Sequence, residues 1–579
     1  MKTSYILLFL ATLTFFSSCT DLTEEPFSQV RPEDYYENKT QVKAALLRVY
    51  EHASWAFSSD ETLLLLEELS ADHLVIAAKG SHWFDQGRFL RYHRHEWTAD
   101  EPELYAGWNS LFAGVSHCNN MIKDLEMLDY EEIGDGLTEE DRQAHIAEMK
   151  ILRALFYFHI ISLWGDVPIS TSVEGTIPDE SPRVEVFTWA LNEVEDNIDS
   201  MPVGTYAETR GRLNRAAAAM LLARYYLNAE TWTGNAMYDR CAETSQNLIN
   251  GMYGSFELDD TFYAPFAFDN ATNSREIVFG FPKTFENTGD AQSYWRLYHY
   301  DSPAYFGSLG TPANGLGLQP SKVAPVSGTD YDGDFDPTAD YDPSSLANLS
   351  FEKGLGTPFE NYHADDLRKR GFDFEGAIGS KDYQQIQGMF LMGLQQSPIT
   401  GNTSMASNEY NGSPLVFVDF VCRASEGLSE SATDLGEENS GYRLVKRPIY
   451  PATFTEGYMN ADYPEMRIAE AYFMLAECHI RTGNGSEAAN LVNTVLERNF
   501  ETFNATLHGY QTMDMGDMLK VWGMEFLAEK RRRTDLIRFG KFTESSWWDK
   551  ETSENKYSVY PYPLRVLSTN PSLSQKDGY

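Results

Sequence analysis

Basic side chains are scarce in this sequence. Its 579 residues include 46 lysines and arginines against 86 aspartates and glutamates, which gives a formal net charge of −40 at pH 7. A chain this acidic repels the phosphates of nucleic acid unless its basic residues form a segregated patch. The longest basic run, Lys530 to Arg533, has four residues and lies in a helical pattern. The composition therefore argues against a nucleic-acid partner.

Long apolar runs are also missing. The apolar stretch of residues 5–16 is too short to cross about 30 Å of hydrocarbon as a helix, and no other segment approaches the roughly 20 residues needed. Because this stretch follows Lys2 and leads to two serines and Cys19, it has the layout of a secretory signal peptide. We predict that residues 1–18 are removed and that lipid on Cys19 tethers a soluble body. Cleavage near Ser18 without lipidation is the alternative.

Cysteine is too rare to build a disulfide framework. With Cys19 lipidated, four widely separated thiols remain, and their spacing matches no zinc pattern. A chain of this length buries a large core without disulfides, so we expect buried free thiols. Export would permit disulfides, and the sequence does not choose among the three pairings. The four residues are Cys118, Cys241, Cys422 and Cys478.

Familiar catalytic signatures are absent: the sequence has no phosphate-binding loop, no H-E-x-x-H and no G-x-S-x-G. Carboxylate pairs such as Glu67–Glu68 and Asp365–Asp366 could serve a glycosidase, but pairs of this kind arise by chance among 86 acidic residues. His93 and His95 alternate as on one side of a strand, yet no third ligand stands at a useful spacing. We expect no catalytic residue and no metal site.

One acidic stretch could bind calcium, which is the only cofactor that the sequence suggests. Aspartates stand at alternate positions from Asp330 to Asp336 around Gly333. The glutamate that closes an EF-hand loop is missing, because Tyr341 occupies its position. A solvated acidic loop is the favoured interpretation.

Apolar periodicity divides the chain into three parts, two of them helical. In the first part, residues 19–254, helical spacing runs from Ile146 to Trp164 and stops at Gly165. Further helices are predicted from Leu213 to Ala229 and from Met237, and helix, short turn and helix form the unit of a tetratricopeptide-like array. In the last part, residues 461–579, helices are predicted over 465–481 and 513–538.

The middle part, residues 255–460, is rich in glycine, proline, asparagine and aspartate. Short strand-like runs occur at Ile277–Phe281 and Pro414–Phe420. A loop-rich stretch of this length is unusual in a compact domain unless its loops are functional. We therefore predict a mainly α fold in which helix pairs form a scaffold, and an irregular half with minor β structure binds the ligand.

Six stretches, in order along nearly the whole chain, carry a resemblance to one family. The stretch at 147–169 is an Arg-Ala-aromatic helix that ends in Gly-Asp-Val-Pro, and the segment at 518–542 is similar to a family motif that ends in Asp-Leu-x-Arg-Trp-Gly. Ala528, Lys530 and Arg531 depart from that motif, in which glycines are frequent. The chain resembles the SusD-like proteins of the SusD/RagB family. The other four stretches are 104–126, 211–232, 463–477 and 560–579.

The resemblance implies a single domain over residues 19–579 and a function. It implies a non-catalytic lipoprotein of the outer membrane, facing outside, that captures a glycan and passes it to a SusC-like TonB-dependent transporter. Acidic residues after Cys19, from Asp21 to Glu25, resemble the export signal of surface lipoproteins. The RagB branch implies peptide capture as the alternative, and a surface glycoside hydrolase is a further one.

Two aromatic segments are candidates for the ligand surface. Sugar rings need flat aromatic platforms beside amide, carboxylate or guanidinium groups. Trp83, Phe84, Asp85 and Arg88 lie in a stretch that resembles the family's Gly-Asp-Trp-Tyr-Asp-Gly-Gly-Arg region near the ligand surface. The alternative is that Trp83 is a core aromatic closing a loop.

The second candidate segment lies in the middle part. Tyr294, Trp295 and Tyr298 cluster there, and Asn314 could add an amide donor. If the segment were helical, Tyr294 and Tyr298 would share one face and belong to the core. Asn314 could equally shape a turn.

Overall fold

A computed structural model provides the structure of the chain. It describes residues 35–59, 62–78, 83–174, 178–267, 269–283, 315–320, 322–323, 355–372, 388–395, 415–417, 419–421, 441–447, 461–547 and 550–579. Cys19, the signal-peptide segment, Tyr294, Trp295, Tyr298, Asn314, the acidic stretch from Asp330 and Cys422 lie outside the described residues.

Helices build most of the described chain. They are α1 Lys39–Ser58, α2 Leu63–Glu68, α3 Arg88–Arg94, α4 Pro102–Met127, α5 Tyr130–Ile133, α6 Glu139–Trp164, α7 Arg183–Glu195, α8 Tyr206–Thr209, α9 Arg215–Thr233, α10 Tyr238–Ile249, α11 Asn270–Asn273, α12 Ile468–Arg481, α13 Gly485–Leu496, α14 Met515–Glu525, α15 Arg532–Arg538 and α16 Leu564–Thr569. The long helices pack in sequence as neighbours: α1 on α4, α4 on α6, α6 on α7, α7 on α9, α9 on α10, α10 on α12 and α12 on α13. This succession of paired helices is the predicted tetratricopeptide-like scaffold.

Helix α6 shows how the sequence sets its own ends. Thr138 and Asp141 form a capping box, in which each side chain accepts the backbone N–H of the other residue. At the other end Gly165 adopts φ 73°, a conformation that side chains with a Cβ rarely take. The predicted helix from Ile146 to Trp164 is confirmed. It begins earlier than its apolar spacing indicates, at Glu139, because its first residues are polar.

Close helix packing depends on small side chains. A Cβ on Gly114 of α4 would lie 2.1 Å from the Phe156 ring of α6, so only glycine fits where these helices cross. In α9 the alanines from Ala216 to Ala219 are fully buried and let its neighbours approach. Asn214 caps this helix by accepting the N–H of Ala217 at 2.8 Å.

Strands are short and pair two by two. The described strands are β1 Leu74–Val75, β2 Val167–Pro168, β3 Glu180–Ser181, β4 Ile277–Phe281, β5 Gly317–Leu318, β6 Lys322–Val323, β7 Phe390–Leu391, β8 Gly393–Leu394, β9 Val416–Phe417, β10 Phe420–Val421, β11 Arg443–Leu444 and β12 Tyr463–Arg467. β12 and β4 form the longest antiparallel pair, with Tyr463 opposite Phe281 and Arg467 opposite Ile277. The other pairs are β1 with β5, β2 with β3, β7 with β11 and β8 with β9, all antiparallel, and β6 with β10, which is parallel.

Two helix predictions in the last part of the chain are corrected. The helix expected from residue 465 begins at Ile468, because residues 463–467 extend as β12 beside β4. The helix expected over 513–538 is split into α14 and α15, because Ala528 and Lys530 both adopt φ 59° and reverse the chain. Left-handed residues without glycine leave no sequence signal for such a break.

A cluster of charged side chains is buried between the helical scaffold and the irregular part. Arg467 lies 2.5 Å from Glu276, 3.1 Å from Glu525 and 2.8 Å from Glu529. Arg368, from the middle part, lies 3.0 Å from Glu525. Although burial opposes charge, the surrounding cations lower the pKa of Glu529 to about 2. We call this set the buried charge network: Glu276, Arg368, Lys446, Arg467, Arg498, Glu525 and Glu529.

The described cysteines are buried free thiols, as expected. They are Cys118, Cys241 and Cys478. None of the helices in the described ranges has the length and apolar character that a membrane crossing requires.

Candidate ligand-binding site

The predicted platform residues of the first segment lie within residues 83–88, which we call the Trp83 loop and whose last residue, Arg88, begins α3. Strand β1 leads toward it and pairs with β5, with Leu74 opposite Leu318. The amide of Gln319 also donates to the carbonyl of His73 at 2.7 Å. The stretch from residue 315, which follows directly after Asn314, is thereby fixed beside β1.

The backbone of the Trp83 loop is left-handed for most of its length. Trp83, Asp85 and Gln86 adopt φ of 58°, 40° and 58°, and Gly87 follows at 78°. Each non-glycine residue in this region costs roughly 1 to 3 kcal/mol, so the surrounding structure must hold the loop in place. The amide of Gly87 donates to the carbonyl of Phe84 at 2.6 Å and closes the turn.

Arg91, which the sequence reasoning missed, holds this turn from α3. Its guanidinium binds Glu101 through two hydrogen bonds, one of them 2.8 Å long, and donates to the carbonyl of Gln86 at 2.7 Å. The carboxylate of Glu101 is almost fully buried, and its hydrogen bonds raise the pKa of Arg91. An arginine three residues after Arg88 carries no recognisable motif, so only the fold reveals its role.

Trp83 is half-buried and packed on two sides. Its ring meets Phe89 edge-to-face with centroids 5.5 Å apart. On the other side a Cβ at Gly315 would lie 2.6 Å from the ring, so the glycine lets the indole rest on the backbone. The ring therefore fastens the loop to the segment that follows Asn314, and a part of it stays accessible.

Phe84 and the neighbouring charges face solvent. The Phe84 side chain is 50% exposed, whereas the nearby Phe89 ring is buried. Arg88 lies 3.7 Å from Asp85 and 3.4 Å from Glu103, and its guanidinium sits 4.6 Å over the Phe89 ring. The loop thus places an open aromatic ring beside a carboxylate and a guanidinium.

Comparisons with known proteins cover both ends of the chain. The family model described as "Starch-binding associating with outer membrane" matches residues 32–227, and the model of the "SusD family" matches residues 422–579. The chain belongs to the SusD-like family.

Individual members of the SusD-like family are distant in sequence and close in fold. The starch-binding protein SusD of Bacteroides thetaiotaomicron is 26% identical over 457 residues, which are 77% of this chain and 74% of that protein. The structure of NanU from B. fragilis aligns with a TM-score of 0.64 at 18% identity, over 96% of this chain and 99% of NanU. Surface glycan-binding protein A from Bacteroides uniformis aligns with a TM-score of 0.58 at 17% identity, over 93% and 99% of the two chains. These structures confirm the predicted mainly α, tetratricopeptide-like fold.

The carboxylate pairs weighed for catalysis do not form open sites in this SusD-like chain. Glu67 and Glu68 are buried on α2, and burial raises their pKa values to about 7 and about 8. Asp366 is fully buried in an ion pair with Arg368 at 2.7 Å, while Asp365 beside it is exposed. Neither pair presents two accessible carboxylates to one substrate.

The histidine pair weighed for a metal has a different setting from the one expected. His93 lies in helix α3 and His95 follows its end, so the two do not alternate along a strand. Both ring nitrogens of His95 are hydrogen-bonded at 2.8 Å, to the Ser70 carbonyl and the Ser553 hydroxyl. This is the pattern of a satisfied core histidine.

A small cavity lined by charged side chains lies in the scaffold. Residues of α6, α9 and α12 line it, among them His159, Arg224 and Glu470. Its volume of about 40 Å³ accommodates about three water molecules, which is too little for a sugar ring. The Trp83 loop is therefore the better candidate for ligand binding among the described residues.

Proposed function

We propose that this chain is a non-catalytic cell-surface lipoprotein that captures a glycan at the Trp83 loop. The glycan is then passed to a SusC-like TonB-dependent transporter, with lipid on Cys19 holding the protein at the outer membrane. The observation that carries the proposal is the 50% exposed ring of Phe84 beside Asp85 and Arg88.

This arrangement suits the chemistry of sugars. A pyranose presents a flat patch of C–H groups, which an aromatic face covers, and hydroxyls at its rim, which carboxylate and guanidinium groups bind. Because Asp85 and Arg88 stand 3.7 Å apart, their polar atoms remain available for hydrogen bonds to a ligand. Tyr294, Trp295, Tyr298 and Asn314 remain predicted contributors, and Asn314 directly precedes the glycine on which Trp83 rests.

The relatives support the ligand class and the location. One is named a starch-binding protein, another a surface glycan-binding protein, and the matching family model refers to association with the outer membrane. The signal-peptide layout before Cys19 supports export and lipidation. Replacing Cys19 with alanine in cells should move the protein out of the membrane fraction, as fractionation would detect.

The decisive experiment measures glycan binding by residues 20–579. Affinity electrophoresis against starch, β-glucans and other polysaccharides identifies a ligand, and calorimetry then compares variants. Phe84→Ala should weaken binding by about 1 to 3 kcal/mol, the range for a stacking ring. Trp55→Ala is the matched control, because Trp55 is a similarly exposed ring (42%) on α1.

Three other outcomes carry different meanings. Equal affinity of Phe84→Ala and the wild type would reject the Trp83 loop as the site. Binding of extended peptides without any glycan would replace glycan capture with the RagB-like alternative. Release of shorter sugars during incubation would overturn the non-catalytic assignment.

A further inference from the structure

Two histidines and an aspartate converge where the middle part of the chain meets the loop between α13 and α14. His363 and Asp365 come from one segment and His508 from the other, and one potential ligand atom of each lies within 4.8 Å of the others. None of the roles described above uses these side chains.

The spacing of the three side chains is that of ligands around an ion. Nε2 of His508 lies 3.4 Å from Oδ2 of Asp365, and Nδ1 of His363 lies 3.7 Å from the same oxygen. Both distances exceed the 2.7 to 3.2 Å of an N–H···O hydrogen bond. Two ligands bound at about 2.0–2.1 Å in tetrahedral geometry stand roughly 3.3 Å apart.

His508 supplies a buried polar atom that points into this gap. Its side chain is only 7% exposed, and its Nε2 makes no hydrogen bond to any described residue. A buried polar atom without a partner requires an explanation such as an ion or water. The Phe500 ring stacks on the imidazole at 4.3 Å with an interplanar angle of 2°, which fixes the orientation of the ring.

Asp365 is positioned by its neighbour. Asp366 is fully buried and paired with Arg368, which in turn binds Glu525 of α14 at 3.0 Å. The backbone of residues 365–366 is therefore anchored in the protein interior, whereas the Asp365 carboxylate itself remains 62% exposed. An ion between these ligands would keep an open position toward solvent.

We propose that His363, Asp365 and His508 bind one divalent first-row transition metal ion, with Zn²⁺ as the best fit. Two imidazoles and one carboxylate suit zinc, which takes three protein ligands and a water in tetrahedral sites. Calcium and magnesium prefer all-oxygen sets, so the two histidines select against them. The ion would join residues 363–365 of the middle part to the loop that carries His508.

Two existing hydrogen bonds lower the affinity expected for the metal ion. Nδ1 of His508 accepts the amide of Asn504 at 3.1 Å, and Nδ1 of His363 accepts the amide of Asp365 at 3.1 Å. Coordination through Nε2 of His508 moves the ring proton to Nδ1, where it faces the Asn504 amide and breaks that bond. Coordination through Nδ1 of His363 likewise displaces the Asp365 amide. We therefore expect weaker binding than in a closed structural zinc site.

The test is a titration of residues 20–579, free of any polyhistidine tag, with Zn²⁺ by calorimetry and with Co²⁺ by absorbance. The expected result is one ion per chain, with visible Co²⁺ bands typical of nitrogen and oxygen ligands. Affinity should fall at least about tenfold in His508→Gln and in Asp365→Asn. His479→Gln, a partly exposed histidine at the end of α12, is the matched control and should bind as the wild type does.

Amide hydrogen exchange supplies a second readout. Zn²⁺ should raise the exchange rate of the Asn504 amide in the wild type and leave it unchanged in Asp365→Asn. Absence of one-to-one binding in the wild type would overturn the proposal, as would full affinity in both His508→Gln and Asp365→Asn. Near-UV circular dichroism of each variant verifies that its fold is intact.

Discussion

The buried charge network and the Trp83 loop use charged residues in opposite ways. In the network, charges are removed from water and each arginine is shared among carboxylates, as Arg467 is among Glu276, Glu525 and Glu529. In the loop, Asp85 and Arg88 form a longer ion pair of 3.7 Å, and both side chains remain partly exposed. The first arrangement determines how the halves of the molecule join, and the second leaves polar atoms for a ligand.

The comparison also separates two kinds of family resemblance. Residues 518–542 carry one of the family motifs of the sequence, yet Glu525 and Arg532 are buried in ion pairs, and the side chain of Glu529, also ion-paired, is only 10% exposed. The residues of this motif therefore stabilise the fold. The proposed ligand residues, by contrast, stand in the short Trp83 loop, where the resemblance covers only a few residues.

Removal of one network cation should have the largest effect on stability. Arg467→Met leaves Glu276 and Glu529 with fewer cations, and stranding a buried charge costs about 3 to 5 kcal/mol. Urea denaturation of residues 20–579 should show this loss in the free energy of unfolding. Arg48→Met, which breaks an exposed pair with Glu51, is the control and should cost less than about 1 kcal/mol. Equal losses in both variants would refute the contrast between buried and exposed charges.

A pH titration should reveal a buried carboxyl that has no cation of its own. Burial raises the pKa of Glu68 to about 8, and its Oε2 has no hydrogen-bond partner among the described residues. The folded protein therefore holds the proton of the Glu68 carboxyl more tightly than the unfolded chain does. The contribution of this proton to the free energy of unfolding is complete below about pH 4.5 and is lost as pH rises to about 8.

Glu68→Gln removes that dependence. Relative to the wild type, the variant should gain a few kcal/mol in the free energy of unfolding between pH 5 and pH 8, measured in urea at each pH. Glu131→Gln, at an exposed position, serves as the control. A constant difference across this range would show that Glu68 is not protonated in the folded protein.

Within the Trp83 loop the two aromatic rings should differ, with a smaller effect. Trp83→Ala removes contacts to Phe89 and Gly315 and should lower the free energy of unfolding by about 1 to 3 kcal/mol. Phe84→Ala should change it by less than about 0.5 kcal/mol, since its ring is half in solvent. The midpoint of urea denaturation measures both. A Phe84 effect as large as that of Trp83 would mean that Phe84 belongs to the packing of the loop.

Much of the fold could be predicted because periodicity is a local signal. The helix ending at Gly165 and the strand Ile277–Phe281 are found where the sequence predicts them. The split between α14 and α15 could not, because apolar spacing continues across Lys530 and the left-handed turn there lacks glycine. The buried ion pairs were also missed, since the partners of Arg467 are 58 to 191 residues away along the chain.

Less of the candidate site could be predicted. The resemblance singled out Trp83, Phe84, Asp85 and Arg88, and the fold places all four in one loop, although their role in binding stays a prediction. Arg91 escaped notice because its function depends on Glu101 and on the Gln86 carbonyl, which only the folded backbone brings together. Composition favours exposure for charged residues and says nothing about such contacts.

The contacts of residues 67–72, at the end of α2 and just after it, with the last part of the chain have a consequence for the order of folding. Asp72 pairs with Arg532, 460 residues later, and Ser70 accepts the Tyr560 hydroxyl, 490 residues later. The apolar face of α2 can pack on α4, where Leu66 lies against Gly107, but Ser70 and Asp72 lack these partners until the last part of the chain is present. Completion of this part of the core must therefore wait for nearly the whole chain.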